Sequence, residues 1–288
     1  QGYRVACVDN FLSGRKENLQ EALMNPHFRL IEHDVVNPLK QISNVSYIFH
    51  LASPASVLDY QKYPEETAIA NSVGTRNLLQ LARQTQAKFL FASTSEVYGD
   101  PKEHPQKESY WGNVNPVGRR ACYDESKRFG EMMTMVYKRK HALDVRIIRI
   151  FNTYGPRMRP DDGRVVSNFI NQAIRGESMT VYGDGSQTRS FCYVSDLVEG
   201  IMDAMFTDGT NGEVINLGNP EEYRMIDLAK KIKTMTDSTS EIVFKALPAD
   251  DPEIRQPDIG KAKKLLGWEP RVSVAEGLST TIAYYRSL

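Results

Sequence analysis

The 288-residue chain is 41% apolar, enough to bury a full α/β core and to carry a smaller second domain beside it. Its 36 basic and 36 acidic residues cancel, which argues against a broad nucleic-acid or acidic-membrane surface and leaves any anionic ligand to a local site. Three cysteines, Cys7, Cys122 and Cys192, have neither metal-ligand spacing nor the even count of a disulfide framework, and no apolar run approaches the roughly 20 residues of a bilayer span, so a metal-free cytoplasmic protein is expected.

Tyr3 to Val8 reads as a buried parallel strand with Asp9-Asn10 at its carboxyl end. In a dinucleotide fold such an acid accepts hydrogen bonds from the adenosine ribose and repels the extra phosphate of NADP, which favours NAD; a plain strand-to-turn aspartate has the same local pattern. Ser13-Gly14-Arg15-Lys16 is a polar, basic turn, either a contact for the adenosine end of a cofactor or the start of a helix. A second strand, Phe28 to Glu32, leads into His33-Asp34-Val35-Val36, where Asp34 offers an acceptor to an adenine amino group and Val35 an apolar face to the ring. A third, Val45 to Leu51, ends in His50-Leu51-Ala52-Ser53, small residues suited to close approach of backbone to a ligand. Helical periodicity spans Glu65 to Thr85, and Lys88 to Ala92 is the next strand. Strands alternating with helices predict a Rossmann-like α/β fold, a doubly wound parallel sheet with its ligands at the carboxyl ends of the strands.

Phe89 to Ala92 delivers Ser93-Thr94-Ser95-Glu96-Val97-Tyr98-Gly99 to that edge, a hydroxyl cluster beside one carboxylate that suits a sugar hydroxyl and a proton relay. The same segment alone is an ordinary Ser/Thr-rich helix cap. The helix that follows carries Tyr123-Asp124-Glu125-Ser126-Lys127 and runs to about Lys140. Residues four apart share a helix face, so Lys127 stands beside the Tyr123 phenol and favours its ionised form, making a base of a group with a pKa near 10. The bland reading of the pair is an amphipathic face. Val145 to Ile150 is one more core strand.

After Pro160 strands shorten and loops lengthen, so residues 1–160 are expected to form the dinucleotide domain and 161–288 a smaller, partly interleaved α/β substrate domain. A helix is predicted over Val165 to Arg175, a strand over Met179 to Tyr182, and a turn over Gly183 to Arg189 that presents an arginine. Arg189 and Arg255 are either bidentate grips for a diphosphate or carboxylate, or solvent-exposed surface residues. Ser195-Asp196 reads as the cap of a helix to Phe206, Val214 to Leu217 as a strand, and Trp268 as a packing residue. Helices are expected near Ile226 to Thr236, Lys261 to Leu266 and Val274 to Tyr285.

Taken in order, Asp9-Asn10-Phe11, His50-Leu51-Ala52-Ser53-Pro54-Ala55-Ser56, Ser93 to Pro101, Tyr123 to Arg128, Arg149 to Arg157, Gly183 to Arg189 and Leu217-Gly218-Asn219-Pro220 resemble the extended short-chain dehydrogenase/reductases that act on nucleotide sugars. Among these the UDP-glucuronate decarboxylases are most similar, over essentially the whole chain. The resemblance implies NAD as cofactor and a reaction through a 4-keto sugar. Tyr123, assisted by Lys127, removes the C4 hydroxyl proton of UDP-glucuronate as C4 is oxidised. The carboxylate, now β to a ketone, leaves as CO2, and reduction gives UDP-xylose with NAD regenerated. By the same resemblance Thr94 and Ser95 polarise the C4 oxygen, Glu96 handles a proton near C5, and Arg189 lies near the carboxylate or diphosphate. Asn152, Tyr182 and Arg255 hold the UDP-sugar, while Asp9, Asn10, Ser13, Gly14, Arg15, Asp34, Val35, Leu51, Ala52, Ser53, Thr153 and Arg164 join Tyr123 and Lys127 around NAD.

The related 4,6-dehydratases carry an Asp-Glu pair after the threonine, where this chain has Ser95-Glu96, and the 4-epimerases generally lack this carboxylate; both departures favour decarboxylation. A catalytically silent sugar-nucleotide-binding or oligomer-forming protein is the third reading. It arises because the family begins with a strand and a glycine-rich turn that hold the NAD pyrophosphate, and this sequence starts after them, with Gln1-Gly2 read as the end of the first helix. That strand is central in the order 3-2-1-4-5-6, so a gap is expected between the Tyr3 to Val8 and Val45 to Leu51 strands. The family also places a lysine near Ile69, absent here, which leaves Lys62 or another cation to meet the substrate's anionic groups. The resemblance further implies a homodimer packed through the helices around Glu65 to Thr85 and Tyr123 to Lys140, with relatives both in the cytoplasm and behind an N-terminal membrane anchor.

Overall fold

Residues 88–94, Lys-Phe-Leu-Phe-Ala-Ser-Thr, show how the chain builds its central layer: successive side chains of a strand point to opposite faces. Phe89 and Phe91 enter one apolar cluster, Leu90 and Ala92 another, and all four are buried. Fully burying a phenylalanine or leucine side chain contributes roughly 1.5–3 kcal/mol. The computed structural model describes residues 2–247 and 254–288, so the helix end expected at Gln1 lies outside the described residues.

The first half of the chain forms β1 (Val5–Asp9), α1 (Gln20–Leu23), β2 (Phe28–Glu32), β3 (Tyr47–His50), α2 (Val57–Lys62), α3 (Pro64–Ile69), α4 (Thr75–Thr85), β4 (Lys88–Thr94), α5 (Ala121–His141) and β5 (Val145–Ile150). The second adds β6 (Thr153–Tyr154), α6 (Val165–Arg175), β7 (Met179–Tyr182), β8 (Thr188–Ser190), β9 (Cys192–Tyr193), α7 (Val194–Phe206) and β10 (Val214–Leu217). It ends with β11 (Glu222–Arg224), α8 (Met225–Met235), β12 (Ile242–Lys245), β13 (Ile254–Arg255), α9 (Gly260–Leu266) and α10 (Val274–Arg286).

Strands β10, β5, β4 and β3 hydrogen-bond in that order and are parallel throughout, while β1 and β2 form a separate parallel pair. Parallel pairing brings the segments after β3, β4, β5 and β10 to one edge. Helices α4 and α5 cover one face of the four-stranded sheet, and α7 and α9 pack against the cluster on the other. Close contact of α5 with the sheet requires glycine at 130, where a Cβ would run into the Phe91 ring. A third cluster, including Tyr154, Phe169, Met179, Leu228 and Leu278, is formed by the second half of the chain. No helix among the described residues is long and apolar enough to cross a membrane.

Three expectations are corrected. β1 is parallel but not buried: Tyr3 and Val5 are 46% and 49% exposed, because β2 is its one hydrogen-bonded strand neighbour among the described residues. The Tyr3 ring rests instead on Phe206, with ring centres 5.5 Å apart. Asp196 does not cap α7 with its side chain; its carboxylate accepts from the backbone N–H groups of Arg271 and Val272 at 3.1 and 3.0 Å, tying the loop before α10 to α7. The predicted turn ending at Arg189 gives way at Thr188 to strand β8, which lies between β11 and β13.

Candidate active site

The hydroxyl cluster and the Tyr-Lys pair meet because β4 ends at Thr94 and α5 begins beside it. Tyr123 is in the first turn of α5, 6% exposed, with its ring stacked on that of Tyr60 at 5.0 Å between centres. Thr94 shares a side-chain hydrogen bond with the phenol and accepts one from the backbone N–H of Glu96 at 3.2 Å. It therefore both caps the following turn and addresses the tyrosine.

Lys127, 3% exposed, donates from Nζ to the Ala92 carbonyl oxygen at 2.8 Å and lies 5.7 Å from the centre of the Tyr123 ring. The electrostatics differ from the expected depression of the phenol. Burial pushes Tyr123 up to about 12, the Thr94 hydrogen bond pulls it down, Glu96 pushes it up and Arg164 pulls it down. Burial also draws Lys127 down to about 7, opposed by Glu131. An ammonium that has itself lost water is easily neutralised, so it does little for the phenol in this geometry.

Glu96 sits between two arginines, with Arg120 Nη2 at 2.6 Å from one carboxylate oxygen and Arg255 Nη1 bonded to the other. Burial works against its charge, but Arg255 and then Arg120 outweigh it and hold the carboxyl down at about 2. Asp124, one residue after the tyrosine and 6% exposed, behaves oppositely: burial and then Glu96 push it up to about 7 against Arg120 and Arg255.

A cleft of about 370 Å3 opens among the loops after β1, β3 and β5; Ser13, Gly14, Arg15, Ser53, Thr153 and Arg164 all line it. Arg159 spans it, bonded to Asp59 at 2.8 Å and to the Ser13 carbonyl at 3.2 Å. Asp9 accepts from the Phe11 N–H at 2.7 Å, and Asp34 accepts from Asn10 Nδ2 at 2.9 Å, so the turn after β1 is tied to the turn after β2. Val35 is buried against Gly74, whereas Leu51 is 53% exposed beyond β3. Ala52 packs partly buried against the core, and Ser95 is buried in the turn after Thr94.

Arg189 and Arg255 stand opposite one another in register on β8 and β13, and Asn152 Nδ2 reaches the Ser190 carbonyl at 3.4 Å on the same strand. Tyr182 lies apart from them in the β7–β12 sheet and is 42% exposed. Lys62 carries its ammonium 4.9 Å from the Tyr63 ring. Sequence reasoning missed Tyr60, Arg120 and the burial of Asp124. Arg120 had one available signal, its place three residues before Tyr123 at the helix start. It also missed Asn71, in the π-helical turn Ala70–Gly74 between α3 and α4, which donates to Ser53 and Ser126 at 2.9 and 3.1 Å.

A family model described as GDP-mannose 4,6 dehydratase matches residues 1–281. The chain belongs to that family. It is 55% identical over 287 residues to UDP-glucuronic acid decarboxylase 1 of Arabidopsis thaliana, a match covering 100% of this chain and 65% of the relative. With UDP-glucuronic acid decarboxylase 3 of the same plant it shares 53% over 274 residues, 95% of this chain and 79% of the relative. The chain spans 63–65% of the length of the Arabidopsis decarboxylases numbered 1, 2 and 4. Among solved structures, UDP-glucose 4-epimerase of Thermotoga maritima superposes with a TM-score of 0.90 at 32% identity, covering 99% of this chain and 92% of its own. UDP-glucuronic acid 4-epimerase of Bacillus cereus, solved with UDP-glucuronic acid and NAD, gives 0.86 at 30% identity, covering 99% and 91%.

Proposed function

We propose that this chain converts UDP-glucuronate to UDP-xylose by an NAD-dependent decarboxylation without net redox change. The observation that carries the reading is the state of the carboxyl group after Thr94. The residue next to the threonine is Ser95, and Glu96 beyond it is held ionised at about 2 by its two arginines. Eliminating water from a 4-keto sugar calls for an acid at the leaving oxygen, and at the two positions after the threonine this chain offers a hydroxyl and an ionised carboxylate. Losing CO2 calls for none, since the departing group is neutral and the C4 oxygen takes the electron pair. Identity of 53–55% to named decarboxylases supports the same assignment.

The residues fit NAD. At Gly14 a Cβ would stand 3.0 Å from the Asp9 carboxylate, so the bare backbone keeps open the space beside an acceptor suited to a ribose. Asn10, Asp34 and Val35 complete the adenosine end, and Arg15, Ser53, Thr153 and Arg164 line the cleft between it and the tyrosine. NAD, when bound, supplies the acceptor and later donor of the C4 hydride and a positive charge beside the phenol. Tyr123 takes the C4 proton and returns it at the end, Thr94, which hydrogen-bonds the phenol, and Ser95 orient the C4 hydroxyl, and Lys127 would hold a ribose hydroxyl of the cofactor. Arg189 and Asn152 grip the diphosphate and uridine side, Arg255 acts from beneath through Glu96 and the Gly99 carbonyl, and Tyr182 lies apart in the β7–β12 sheet.

The proposed assembly is a cytoplasmic homodimer. Val73, Phe129 and Met132, each 40–44% exposed on the stretch from α3 to α4 and on α5, support a packed helix face, and three free cysteines suit a reducing compartment. Incubation with NAD and UDP-glucuronate, followed by chromatographic separation and mass analysis, tests the reaction. UDP-xylose, lighter by one CO2, is expected; a product lighter by one water, or an isomer of unchanged mass, would overturn the reading.

A further inference from the structure

A second cavity, of about 190 Å3, is lined by Glu96, Gly99, Asn113, Asn115, Arg120 and Asp124 among others. Its lip carries the exposed residues Asn113 and Asn115, and its inner wall carries the buried carboxyl of Asp124. The wall is closed at backbone distance: Gly99 has φ 62°, and a Cβ there would collide with the Asn113 carbonyl. One Asp124 oxygen, Oδ1, is buried with no hydrogen-bond partner, an uncommon state for a buried polar atom and one that leaves it a seat for a proton.

Among the described residues, the charges that act most on Asp124 come from the turn after β4, from α5 and from β13. Glu96 faces it from the turn after β4, Arg120 from the start of α5, Arg255 from β13 and Glu125 from the next position of α5. Its own charge is felt by Tyr60 on α2 and by Tyr123 and Cys122. Glu96 and Asp124 share Arg120 and Arg255, while Glu125 is paired with Arg128. A further carboxylate, on a bound sugar, adds negative charge beside Asp124 and favours a proton on it.

We propose that Asp124 takes up a proton when a sugar nucleotide bearing a carboxylate binds, and stores it for C5 after CO2 has left; this rests on the decarboxylation reading above. Asp124 changes protonation near neutrality, at about 7, whereas Glu96 stays ionised. Loss of CO2 breaks the C5–C6 bond and leaves its electron pair in the C4–C5 enolate. Adding a proton at C5 forms the C5–H bond and restores the C4 carbonyl. Each turnover consumes one proton, Asp124 returns to carboxylate, and the next substrate draws another from solvent past Asn113 and Asn115.

Calorimetric titration in two buffers of different ionisation enthalpy at pH 7.5, with NADH present so that no oxidation starts, reads this proton directly. UDP-glucuronate is expected to bind with uptake of about half a proton, the change produced when a group of pKa near 7 is raised by about a unit. UDP-xylose, lacking the carboxylate, is expected to bind with none, and Asp124→Asn to bind UDP-glucuronate without uptake. Binding of UDP-glucuronate with no uptake by the unaltered chain, or equal uptake in Asp124→Asn, overturns the proposal and leaves decarboxylation standing. Absence of UDP-glucuronate binding overturns the decarboxylation reading and this proposal with it.

Discussion

Glu96 and Asp124 are two carboxyl groups of one cluster pushed to opposite states, the pattern from which different proton-transfer roles arise within a single site. Glu96 is matched by two guanidinium groups; Asp124 is buried with less compensation. The stability consequence has a definite sign. Asp124 binds its proton more tightly folded, at about 7, than unfolded, at roughly 3.9, so raising the pH through that window lowers stability. Asp124→Asn is therefore expected to stabilise the chain more at pH 8 than at pH 5, by up to a few kcal/mol, read by denaturant unfolding at the two pH values. An equal effect at both would show that the carboxyl is not held protonated. At this scale the Tyr123-Lys127 pair was legible because i,i+4 spacing is local. The Glu96–Arg255 bond joins residues 159 apart in sequence, so both residues were identified while their pairing was not. Asp124 stood inside the quoted motif, yet its burial depends on α2, β4 and β13 together.

Among the elements, β5, α6, β7 and β10 fall where apolar run length and helical period place them. The short strands β6, β9, β11 and β13 do not, since two or three residues carry no period and owe their form to pairing with distant segments. The π-helical turn at Ala70–Gly74 was likewise hidden within one continuous helical pattern. The element that matters most to the site is α5, held against β4 where Gly130 meets Phe91. Gly130→Ala is expected to destabilise the chain by about 1–3 kcal/mol, as overpacking does, and to weaken turnover by displacing Lys127 from the Ala92 carbonyl. An unchanged unfolding midpoint and unchanged turnover would show that α5 has slack there.

Across the whole molecule, the site draws on both halves of the chain. Thr94, Glu96, Tyr123 and Lys127 come from the parallel layer and its covering helix, while Arg164 arrives from the N-cap of α6 and Arg255 from β13. The alternation of strands and helices made the parallel layer readable in the sequence; the juxtaposition of the halves became visible only in three dimensions. The proposed reaction oxidises C4 and later restores it in the course of losing CO2. UDP-glucuronate carrying deuterium at C4 is to be incubated with the chain and NAD and the label followed. UDP-xylose is expected with the deuterium back at C4 and none in solvent. UDP-xylose formed with the label lost to water, or CO2 released with no C4 isotope effect and no dependence on Tyr123, would contradict it.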